Sequence, residues 1–116
     1  MMWIAAQQSR AQLLNDQFRQ AGPVHTDGGH WVTTRGVIAL GSIIMLEAVR
    51  TVQRFDRFTE DNDPYGAHDF GAFELAGERL FWKIDCYNRA LDAGSPDDAD
   101  PGVTCRVLTI MLASEY

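Results

Sequence analysis

The chain has one lysine, two cysteines and no long apolar run among its 116 residues. Lys83 stands alone beside nine arginines. With sixteen acids against ten bases the formal charge is −6, which disfavours a generic DNA or RNA binder, since such a protein needs a basic face to displace counterions from phosphate. Cys86 and Cys105 are too few for a disulfide framework and form no CxxC pair, so two small buried hydrophobes in a reducing compartment are expected. No segment is long enough to span a bilayer, and Met1–Gln8 lacks the charged lead and apolar stretch of a secretion signal. A cytoplasmic location is expected.

Ten glycines and four prolines are ordinary, and 46% hydrophobic residues at this length suffice for one buried core. The expectation is a single α+β domain over residues 1–116. It comprises a small antiparallel β-sheet with a central hairpin, packed by N-terminal and C-terminal helices.

The spacing of Ala11, Leu14, Phe18 and Ala21 predicts a helix from about Trp3 to Gln20, stopped by Gly22-Pro23. His25 and His30 flank the glycine turn Asp27-Gly28-Gly29 without metal spacing. Trp31–Thr34 and Val37–Leu40, separated by Gly36, read as one bulged strand or two short ones. Ile43, Leu46, Val49 and Val52 predict a helix to about Arg54, with a strand over 49–58 as the rival. Phe70–Leu75 and Arg79–Tyr87 flank Ala76-Gly77 as a β-hairpin. In its second strand Leu80, Trp82, Ile84 and Cys86 share an apolar face, opposite Phe81, Lys83, Asp85 and Tyr87. Asp100-Pro101 resembles a helix start, and Val103, Val107, Ile110 and Met111 predict a last helix from Pro101 to about Ser114.

The densest chemistry lies in Asp61–Gly71. Asp61, Asp63, His68 and Asp69 offer hard oxygens and an imidazole, but Tyr65 and Ala72 break an EF-hand pattern and no HxH or HExxH is present. A fixed Asx/Pro-Gly turn feeding the hairpin is expected first, a partner-binding surface second. Lys83 and Asp85 share a strand face, as an ion pair or as a lysine nucleophile beside an acid. Ala93–Asp100 is a second acidic loop. No GxSxG elbow, Walker lysine or GxGxxG occurs.

Three blocks, Asn62-Asp63-Pro64-Tyr65-Gly66 with His68-Asp69-Phe70-Gly71, then Trp82-Lys83-Ile84-Asp85, then Arg106–Ala113 with Glu115-Tyr116, resemble an uncharacterised bacterial family. Asn15–Arg19 fits its opening. It is a domain of unknown function found mainly in proteobacteria, often near plasmid or prophage genes. Ala67 stands where the resemblance would place an acid, and Cys86 where it would place an aromatic. The resemblance implies a small accessory protein of a mobile element and no accepted activity.

The expected function is a non-enzymatic acidic interaction protein that inhibits a host nucleic-acid-targeting defence system of CRISPR or restriction type. Asp61, Asp63, Tyr65, His68, Asp69, Asp97, Asp98 and Asp100 would meet a protein partner with a basic surface. No cofactor, direct nucleic-acid contact or membrane is expected. One alternative is a metal-dependent or acid/base enzyme using Asp63, His68 and Asp69. Another is a structural module that dimerises through the Phe81/Tyr87 face.

Overall fold

The computed structural model describes residues 9–24 and 28–116. The expected helix start at Trp3 and the His25–Asp27 part of the glycine turn lie outside them.

Helix α1 spans Arg10–Ala21, with the Ser9 hydroxyl accepting from the Gln12 N–H at 3.0 Å. Gly22 ends it at a φ of 81°, donating its N–H back to the Arg19 carbonyl. Strand β1 is Gly29–Thr33, helix α2 is Arg35–Ile38 and helix α3 is Ser42–Gln53. The hairpin is β2, Phe70–Leu75, with β3, Glu78–Tyr87, and strand β4 is Cys105–Leu112, followed by a 3₁₀ turn at Ala113–Glu115. The α+β class, α3 and the hairpin are found as the sequence predicts.

The helix favoured over 43–54 is α3, and its rival, a strand over 49–58, falls away. Four expectations are corrected. The strand at 37–40 is instead the last two residues of α2 and the turn after it, and Val37 drops into the core with no exposed surface. The C-terminal helix from Pro101 is strand β4. Asp100-Pro101 does not start a helix: Asp100 Oδ1 takes the Gly102 N–H at 2.8 Å and closes a turn. The sheet is mixed, in the order β1-β4-β3-β2, with β1 parallel to β4 and the other pairs antiparallel.

β4 therefore runs through the middle of the sheet, which explains its composition. A central strand buried on much of both faces is apolar almost throughout, so its residues also satisfy a helical spacing. Register separates them. Leu108, Ile110 and Leu112 pair with Ile84, Trp82 and Leu80 on one face, whereas Val107, Thr109 and Met111 pair with Asp85, Lys83 and Phe81 on the other.

The first face is the core. Trp82, Leu80, Leu108 and Ile110 have no exposed surface and pack with Phe18 of α1, Val37 of α2 and Ala48 and Val52 of α3. Each such side chain contributes about 2 kcal/mol by leaving water. Gly71 of β2 lies against the Trp82 indole, and a Cβ there would also stand 2.7 Å from Phe55 Cζ. On the second face Phe70, Phe81 and Tyr116 form an aromatic group with centroids 5.2–5.9 Å apart.

Candidate functional site

The residues that organise the candidate site sit in the middle of α1. Beside Phe18, the buried face of α1 presents Asn15 and Arg19, 3% and 2% exposed. The face drawn from Leu14 and Ala21 is thus rotated, and Ala21 is exposed. A polar stripe under an apolar sheet is costly unless every group finds a partner. Those partners define two loops.

Asn15 reaches both. Its Nδ2 donates to the Ala67 carbonyl at 3.0 Å and its Oδ1 accepts from Arg106 Nε at 2.7 Å. Arg106 Nη2 donates in turn to the Asp98 carbonyl. The loop before β2 and the loop after β3 are joined through one buried amide.

Arg19 Nη1 meets Asp16 Oδ1 at 2.9 Å, and Nη2 donates to the Phe55 carbonyl at 3.1 Å. Its guanidinium lies 5.4 Å from the Phe58 ring centre and 5.3 Å from that of Trp82. The same Asp16 carboxylate receives His68 Nδ1, at 2.9 and 3.0 Å. A carboxylate only accepts, so Nδ1 carries the hydrogen. His68 Nε2 lies 3.7 Å from Asp63 Oδ2, beyond hydrogen-bond length. Phe58 stacks on the imidazole at 3.7 Å, with 6° between planes. His68 is held at a φ of +54°, a conformation that a non-glycine residue keeps only when its surroundings enforce it.

Asp63 is used by backbone: it accepts the N–H groups of Ala67 at 3.0 Å and His68 at 3.2 Å. Asn62 accepts the Thr59 N–H and donates to the Arg57 carbonyl, each at 2.9 Å. Gln12 donates to the Gly66 carbonyl. The Asp61–Gly71 tract is therefore a braced turn, as its Asx and Gly chemistry predicts. Ala67, where an acid was expected, gives both its N–H and its carbonyl to the brace.

The expected site residues divide accordingly. Asp63 and His68 point inward and are engaged. Asp61 and Asp69 are exposed, and Tyr65 at the tip is 94% exposed. Asp97 and Asp100 fold their carboxylates onto local N–H groups of Ala99 and Gly102. Asp98 is exposed, and its carbonyl takes the Arg106 bond. Removal of water raises the Asp69 carboxyl above its usual value, then Asp63, with smaller contributions from Asp85 and Asp98. Although the residue as a whole is exposed, its carboxyl borders this crowded corner. Burial also raises the Cys86 thiol, partly offset by Arg106.

Among the described residues no three His, Cys, Asp or Glu side chains are placed to hold a metal. No described hydroxyl or thiol is hydrogen-bonded to His68. Lys83 meets Asp85 at 2.7 Å, and that bond raises its ammonium pKa, opposite to what an amine nucleophile needs. His30 falls on β1, exposed, opposite Val107 of β4.

Sequence reasoning placed no role on Asn15, Asp16, Arg19, Phe58 or Arg106. A signal was available in the polar Asn15-Asp16 and Arg19, one turn apart on the Phe18 side of a short helix. Their partners across the fold lie 36 to 91 residues away, from the Arg19–Phe55 bond to the Asn15–Arg106 bond.

Residues 33–115, well over half of the chain, match a protein family described as "Protein of unknown function (DUF3768)". No curated protein and no solved structure matches the chain.

Proposed function

Because this chain belongs to the DUF3768 family of proteins of unknown function, kinship brings no activity, and we propose from its own residues that it is an acidic interaction protein. Its contact is the Tyr65 loop, which docks on a basic surface of a partner protein. The observation that carries this reading is the exposure of Tyr65, 94%, on a turn braced by Asn62 and Asp63. A rigid aromatic anchor loses little freedom on binding, and such anchors dominate interface energies. Asp61 and Asp69 flank it, and the net charge of −6 steers the encounter.

The partner we propose is a nucleic-acid-targeting defence complex, of CRISPR or restriction type, whose phosphate-binding Arg/Lys surface the loop occupies. Support comes from the small acidic chain and from the resemblance of its motif blocks to a family met near plasmid and prophage genes. The test is co-purification of the tagged chain with reconstituted CRISPR effectors and restriction complexes at low salt. Wild type is retained by one of them, and Tyr65→Ala and Asp61→Lys are lost from it. Retention unchanged by both substitutions would refute the assignment of the contact.

A further inference from the structure

Arg50, Arg54, Arg57 and Arg79, four of the ten bases in this acidic chain, line one groove of 760 Å³ between the end of α3 and the β2–β3 hairpin. Arg79 is tied to Glu74 at 3.0 Å. Arg50, Arg54 and Arg57 make no ion pair with any described residue.

The facing wall is Ala72, Phe73 and Glu74 of β2, and β2 is an edge of the sheet. The turn decides which of its backbone groups are free. Ala76 and Gly77, at φ 55° and 76°, form a two-residue connection closed by the pair Leu75 and Glu78. Hydrogen-bonded pairs then recur at Phe73 and Gly71, and the Ile84 N–H donating to the Asp69 carbonyl at 2.8 Å keeps the same alternation. The N–H and C=O groups of Ala72 and Glu74 therefore point away from β3, along the groove. No backbone bond from another described element meets them.

The geometry points to a docking site for an extended acidic peptide, which joins β2 as a fifth strand and sets its carboxylates against Arg50, Arg54 and Arg57. Alternate side chains of a strand lie about 7 Å apart on one face, so a peptide can offer spaced charges. Glu47, Asp56 and Glu74 stand among the arginines and would repel an unbroken phosphate backbone. This site goes beyond the proposed function. It lies towards the turn end of the hairpin, whereas the Tyr65 loop enters β2 at its other end, and it takes a ligand of opposite charge.

The probe is a fluorescein-labelled peptide of about ten residues alternating valine and glutamate, long enough for one added strand, read by anisotropy at low salt. Matched controls are a valine–lysine peptide and a single-stranded oligonucleotide. The glutamate peptide binds and the controls do not. Arg50→Glu with Arg54→Glu weakens binding by at least about tenfold. Ala72→Pro, which removes an outward N–H that an edge strand can spare, weakens it comparably. Where that variant loses its fold, slowed exchange of the Ala72 and Glu74 amides on adding peptide to the wild type is the equivalent result. Equal binding of the lysine peptide, no binding, or full binding without amide slowing overturns the proposal. So does preferred binding of the oligonucleotide, or a dimer that Ala72→Pro converts to monomer, which would give the edge to a second copy.

Discussion

Arg19 and Asp16 decide whether the candidate site exists. Arg19 is 2% exposed, its charge balanced by Asp16, two aromatic faces and one carbonyl. Removing Asp16 leaves that charge unpaired and frees His68, so Asp16→Ala is expected to cost about 3 kcal/mol of folding stability in urea titration. Combined with Arg19→Met, it costs less than the sum of the two single losses. Asp69 behaves in the opposite sense. Its folded pKa is raised, chiefly by loss of water and then by Asp63, so the folded state holds the proton more tightly than the unfolded one. Stability falls as pH rises from the unfolded carboxyl value through the folded one, and the penalty is complete above it. Asp69→Asn therefore melts higher than wild type at neutral pH, and the advantage disappears below about pH 3.5, where both states of Asp69 are protonated.

At the level of elements, β4 carries the heaviest structural role and was the hardest to read. Its apolar residues fit a helix because a central strand needs apolar side chains on both faces, and Asp100-Pro101 fits a helix cap because a cap and an Asx turn use the same oxygen acceptor. The hairpin and α3 were legible as elements, since Ala76-Gly77 breaks the strand pattern and Ile43, Leu46, Val49 and Val52 keep a helical spacing, but the buried face of α3 is that of Ala48 and Val52, with Ile43 and Leu46 exposed. The turn character of Asp61–Gly71 was legible for the same local reasons. The inward swing of Asp63 and His68 was not, because it depends on Asp16 across the fold. A buried strand predicts that Ile110→Ala costs about 3 kcal/mol, whereas Ile43→Ala on the exposed side of α3 costs less than about 0.5. Amide exchange is slowest in β3 and β4, where neighbouring strands on both sides take up successive N–H groups. The C-terminal turn is held by Glu115, which accepts the Thr34 hydroxyl at 2.6 Å, the Leu112 N–H at 2.8 Å and the Gly36 N–H at 2.9 Å. These bonds, that of Thr34 first, lower its carboxyl pKa. The stabilisation is present above the unfolded carboxyl value and is lost as pH falls through the folded one. Glu115→Gln should match the wild type in strong acid and melt below it at neutral pH.

Over the whole molecule, charge is sorted by place. The Tyr65 loop and the Asp98 loop, both rich in acids, are joined through Asn15 and Arg106, while unpaired arginines gather along the β2 edge. We propose that a chain of −6 with both features meets a basic partner by the first and an acidic strand by the second. The central claim concerns the first, and phage plaquing on cells that carry a restriction or CRISPR system tests it most directly. Expression of the wild-type chain raises plaquing efficiency, and Tyr65→Ala abolishes the rise while leaving the melting temperature unchanged. Plaquing that rises equally with wild type and Tyr65→Ala would contradict the account.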